Sequence, residues 1–119
     1  MATKRIDLKG KLIIEQGARY RKFALYYPGD VSAATFEGHL RREYDGELIA
    51  EWGFVVSYDA AINKTLILPI FTTAQTRNFP IPAPNKYFVY DIEMTVAGET
   101  DRLCQGEADV SRESTKQNV

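Results

Sequence analysis

Lys86-Tyr87-Phe88-Val89-Tyr90-Asp91-Ile92-Glu93-Met94-Thr95-Val96 is the stretch that decides the fold. Every second residue from Phe88 to Val96 is apolar, and Asp91, Glu93 and Thr95 fall between them, with Tyr87 on the same polar side. An extended chain sends successive side chains to opposite faces, so this segment reads as a strand with one buried and one wet face. Gly98 supplies a turn, and Arg102–Ser111 repeats the period, with Cys104, Gly106, Ala108 and Val110 set against polar neighbours.

The same texture runs back toward the N-terminus. Lys64–Phe71 reads as a strand. Leu48–Tyr58 is another, in which Trp52, Phe54, Val56 and Tyr58 alternate, and Asp45–Gly46 before it is a turn dipeptide that tolerates positive φ. Thr35–Glu43 places Phe36, Gly38 and Leu40 on one face and His39 and Arg41 on the other. Ala18–Tyr27 is stopped by Pro28-Gly29-Asp30, and Leu12–Gln16 is ended by Gly17. Thr72–Arg77 has the makings of one helical turn capped by Thr72 or Thr73. Phe79–Pro84 is extended, because Pro80, Pro82 and Pro84 lack amide donors.

About seven short strands with turn signals between them predict an all-β, two-layer antiparallel sandwich, since a single sheet would leave one apolar face in water. The expected inward set is Leu12, Ile14, Phe23, Leu25, Phe36, Leu40, Trp52, Phe54, Val56, Leu66, Leu68, Tyr90, Ile92, Met94 and Val110. Three regions follow: a basic N-terminal arm over 1–11, the sandwich over 12–111, and a polar C-terminal tail over 112–119.

Composition narrows the function. A chain of 119 residues and 13.5 kDa is one domain, large enough to fold on its own core. Its 45% hydrophobic and 26% charged content is that of a globular protein. A net charge of −1 steers nothing, which argues against nucleic acid as a partner. Apolar runs such as Leu66–Ile70 are too short to span a bilayer, so no membrane is expected as a partner. No signal-peptide pattern opens the chain, and the lone Cys104 excludes an internal disulfide, so a reducing compartment is expected.

Chemistry finds little to stand on. His39 is the single histidine and has no serine or cysteine motif to serve, so it reads as an outward strand residue. Cys104, beside Gly106 and Ala108, reads as a small core residue. One histidine and one cysteine cannot build a zinc site, and no calcium-loop motif occurs. Asp91, Glu93, Asp101, Glu107 and Asp109 are numerous enough to suggest a hydrolase, but the wet face of a sheet has the same pattern. No catalytic, cofactor-binding or metal residue is therefore assigned, and no cofactor is expected. Arg19, Arg21, Lys22, Arg41 and Arg42 suit either an acidic partner or edge protection.

The order of several words along the chain adds to this reading. Ile14-Glu15-Gln16-Gly17-Ala18 with Tyr20 and Phe23 comes first, then Gly46-Glu47-Leu48-Ile49-Ala50 with Trp52-Gly53-Phe54. Tyr87 to Met94 follows, then a glycine turn and Arg102-Leu103-Cys104-Gln105-Gly106-Glu107-Ala108-Asp109-Val110-Ser111. This order resembles small virion proteins of tailed bacteriophages. In particular, it resembles the immunoglobulin-like sandwich at the start of baseplate upper proteins, with Cys104 and Gln105 in place of a leucine and a glutamate. The basic arm and the proline-rich connection depart from that pattern.

The resemblance implies an immunoglobulin-like fold and a non-enzymatic structural role in the virion, as a tail, baseplate or tail-fibre adaptor made in the host bacterial cytoplasm. Partners would be other virion proteins and copies of the same chain in a symmetric assembly. The residues expected to touch them are Lys4, Arg5, Ile6, Leu8, Lys9 and Lys11 of the arm, with Pro80, Pro82 and Pro84. Ile6 and Leu8 flank Asp7 as in a strand, which suits addition to a neighbour's sheet edge. Two alternatives are a capsid decoration protein and a host-glycan-binding module that presents Tyr26, Tyr27 or Trp52.

Overall fold

The segment from Phe88 to Val96 lies inside the larger of two packed sheets, its apolar side toward the smaller one. The computed structural model describes residues 6–7 and 11–112, and of Ile6 and Asp7 only the backbone. In chain order the strands are β1 (Ile6–Asp7), β2 (Leu12–Glu15), β3 (Leu25–Pro28), β4 (Thr35–Arg41), β5 (Leu48–Glu51), β6 (Gly53–Asp59) and β7 (Lys64–Ile70). A short helix α1 (Thr73–Arg77) follows, then β8 (Phe88–Val96) and β9 (Glu99–Ser111). The larger sheet has the order β1-β9-β8-β4-β5, with β2 also on β9, and the smaller has the order β3-β7-β6. The chain is thus an all-β sandwich, as the alternation predicts.

β1 and β2 both run parallel to β9, Ile6 opposite Cys104 and Leu12 opposite Ala108, while the other pairings are antiparallel. The arm backbone at Ile6 and Asp7 therefore extends the edge of its own sheet.

Four details differ from the alternation reading. The strand expected over Ala18–Tyr27 is shorter: Tyr20 makes an isolated bridge to Phe71, and regular pairing begins at Leu25. The strand expected over Leu48–Tyr58 is two strands in different sheets, with the chain crossing at Trp52. Trp52 points inward at the crossing, so the period never breaks. Leu66 and Leu68 do not enter the core; Thr65, Ile67 and Pro69 do. The cause is the Thr65 hydroxyl, which donates to the Gly29 carbonyl at 2.8 Å and accepts from the Val31 amide at 2.9 Å. Two loop backbone groups are satisfied only with Thr65 inside, and a period of two then turns Leu66 and Leu68 outward. Last, Leu103 is the extra residue of a bulge, because Ile92 pairs with Cys104 while Glu93 pairs with Arg102. Leu103 and Cys104 are both buried as a result.

The core centres on aromatics. Trp52 stacks on Phe71 with ring centroids 3.9 Å apart, and Tyr20, Phe23 and Tyr90 surround the indole. Gly38 makes room for it: a Cβ there would lie 2.7 Å from the Asp91 carbonyl oxygen and 2.8 Å from Trp52 Cδ1. Trp52 Nε1 and the Tyr90 hydroxyl are buried with no hydrogen-bond partner among the described residues. Thr72 caps α1 in a reciprocal box with Gln75, and the Thr76 hydroxyl ties the helix to the Ala18 carbonyl at 2.9 Å.

Candidate interaction surfaces

The outer face of the larger sheet carries a cluster of titratable side chains. Cross-strand register puts His39 beside Asp91, and Asp91 beside Gln105. His39 Nδ1 lies 3.7 Å from Asp91 Oδ1. One row on, Arg102 reaches Glu93 at 3.4 Å and Asp91 at 4.0 Å. These groups are partly exposed and pair across the strands with Arg102 or the His39 imidazole, the pattern of a solvated sheet face held by weak pairs. Among the described residues no three of His, Cys, Asp and Glu come together as a metal site. Cys104 sits on the inner face, fully buried, and burial followed by the Asp91 charge pushes its thiol up to about 12. A thiol so held is not a nucleophile at neutral pH.

A second surface lies where the β4–β5 turn meets the proline-rich connection. Arg42, Glu43, Pro82, Ala83, Lys86 and Tyr87 line an open groove of about 290 Å³. Lys11 lies over the Tyr87 ring with its Nζ 4.3 Å from the centroid, and the Arg42 guanidinium lies 5.8 Å from the Phe88 centroid. Of the expected contact residues, the structure therefore brings Lys11 and Pro82 to one surface, joined through Tyr87. Pro80 is half-buried and Pro84 exposed, while Lys4, Arg5, Leu8 and Lys9 lie outside the described residues. The basic set divides. Arg19, Arg21 and Lys22 lead into β3 of the smaller sheet; Arg41 and Arg42 stand at the end of β4 and just beyond it, Arg42 paired with Glu47.

The third surface went unread in the sequence. Outward from the smaller sheet point Tyr26, Val55, Leu66, Leu68 and Ile70, neighbours by register. Tyr26 is 56% exposed and Val55 51%, and the three β7 residues are half-buried. A sheet face with this much apolar surface is the kind that a partner covers. Trp52, by contrast, is 5% exposed, so it offers a glycan no platform.

No protein-family model matches the chain, and no curated protein is similar enough to it to count as a relative.

Proposed function

We propose that the chain is a non-enzymatic structural protein of a tailed-phage virion, an adaptor that holds tail, baseplate or fibre parts by protein–protein contact. The observation that carries this reading is the strand order. β9-β8-β4-β5 packed on β3-β7-β6 supports reading the sandwich as immunoglobulin-like, the fold that the resemblance in sequence implies. The chain departs from antibody domains in having no disulfide between its sheets and in carrying its tryptophan at the β5–β6 crossing.

Two surfaces support a contact role. The groove around Tyr87, with Lys11, Lys86 and Arg42 at its rim, suits an acidic partner surface. The apolar face of the smaller sheet suits a dry one. A stiff sandwich with two such surfaces would set the spacing and angle of its neighbours, and repetition in a symmetric particle would add weak contacts through avidity.

The test is a nonsense mutation in the gene, with the particles then examined by electron microscopy. Particles that lack a distal tail component, restored by supplying the chain in trans, are expected. Particles of normal form and infectivity without the chain would overturn the proposal.

A further inference from the structure

We infer that β6 is a self-pairing edge, through which two copies of this chain join their smaller sheets into one continuous sheet. Edge geometry carries this pairing, whatever the role of the sandwich.

An unpaired strand edge offers a row of main-chain donors and acceptors to any other strand, and proteins guard such edges with brevity, proline, lysine or bulges. Three of the four sheet edges among the described residues are guarded. β5 has four residues and meets β4 through a register shift. β3 has four residues and ends in Pro28. β1 and β2 are two short pieces separated in sequence. β6 has seven residues, and its register with β7 is unbroken from Gly53 opposite Ile70 to Asp59 opposite Lys64. Its sequence, Gly53-Phe54-Val55-Val56-Ser57-Tyr58-Asp59, holds no proline and no lysine or arginine. On its other side it has no strand partner.

That sequence is complementary to itself. In antiparallel pairing, residues directly opposite share a face, so inward Phe54, Val56 and Tyr58 must oppose inward residues. The register centred on Val56 is the one that does this with all seven residues paired. It sets Phe54 against Tyr58, Val55 against Ser57 and Gly53 against Asp59, so the one charge of the strand meets a glycine and no like charge. The two-fold axis through Val56 closes the pair, which stops growth into a fibre. Pairing also brings the two apolar outer faces, each with Val55, Leu66, Leu68 and Ile70, into one strip across the axis. A heterologous partner strand would need none of this self-complementarity.

The experiment is sedimentation velocity of the full chain over a wide concentration range, with two double variants on the exposed face. Val55→Lys with Ser57→Lys sets lysine against lysine twice across the axis; Val55→Glu with Ser57→Glu does the same with carboxylates. The wild type is expected to pass from monomer to dimer as concentration rises. Each variant alone should associate at least about tenfold more weakly, and an equimolar mixture of the two should dimerise again. Hydrogen exchange on the wild type gives a reading that needs no variant: β6 amides should slow at high concentration while β3 amides do not. A wild type that stays monomeric, a lysine variant that pairs as tightly as the wild type, or a dimer with unprotected β6 amides would each overturn the inference. The last would indicate stacking of the apolar faces instead. A monomeric result leaves the virion proposal to its own test, which reads particle form and not self-association.

Discussion

Replacing Thr65 by valine keeps the shape of the side chain and removes its hydroxyl, and the structure fixes what that should cost. Thr65 is fully buried, its oxygen donates to the Gly29 carbonyl at 2.8 Å and accepts from the Val31 amide at 2.9 Å. Valine leaves both backbone groups without that partner. An unsatisfied buried polar group costs about 1–3 kcal/mol, and Gly29 and Val31 are half-buried, so water recovers part of it. A loss of about 2–3 kcal/mol follows. At roughly 2.1 cal/mol/K of unfolding entropy per residue, a chain of 119 residues loses about 8–12 °C in Tm. Thr65→Ser keeps both bonds and deletes one methyl group, for about 1 kcal/mol. Thermal unfolding followed by circular dichroism should therefore rank wild type above Thr65→Ser and Thr65→Ser above Thr65→Val. Were Leu66 and Leu68 the inward residues, Thr65 would face water and valine would cost almost nothing. A Thr65→Val protein that melts with the wild type would refute the assignment of β7, and with it the apolar outer face.

Gly38→Ala should cost about 1–3 kcal/mol or more in denaturant midpoints and should perturb near-ultraviolet circular dichroism, because its Cβ would meet the Asp91 carbonyl and the Trp52 ring. Cys104 should resist thiol reagents in the native protein at neutral pH and react once denatured, since burial holds its pKa near 12. The same shift sets an alkaline limit. The folded thiol ionises at a higher pH than the unfolded one, so its contribution to stability is full below the ordinary value of 9.0 and is lost as pH rises toward about 12. Burial raises the Tyr20 and Tyr90 phenols in the same sense. Tm should stay level up to about pH 9 and fall from there toward about pH 12, and Cys104→Ala should flatten part of the fall.

Much of the sandwich is legible because a half-buried strand writes its period into the sequence. The hairpin of β8 and β9 is the plainest case. What escapes is decided by contacts far apart in the chain. Nothing in the alternation of Leu48–Tyr58 marks the crossing at Trp52, since the inner side of one sheet continues as the inner side of the other. β7 offers two apolar sets, and leucine outranks threonine on hydrophobicity; only the loop at Gly29–Val31 reverses the choice. The Leu103 bulge is likewise invisible to a strict period of two. Of the contact surfaces, Lys11 and Pro82 are readable as contact candidates, but their meeting at Tyr87 depends on β2 pairing with β9 and β9 with β8. The apolar face of the smaller sheet is hidden by the same inversion that misplaces Leu66 and Leu68.

The proposed role in a virion is tested most directly by quantitative mass spectrometry of purified particles, with heads and tails separated before digestion. The account predicts the chain in the tail fraction, in a fixed ratio to the other tail proteins that reflects the symmetry of its site. Its absence from purified particles, or its recovery with heads alone, would contradict the tail-adaptor reading.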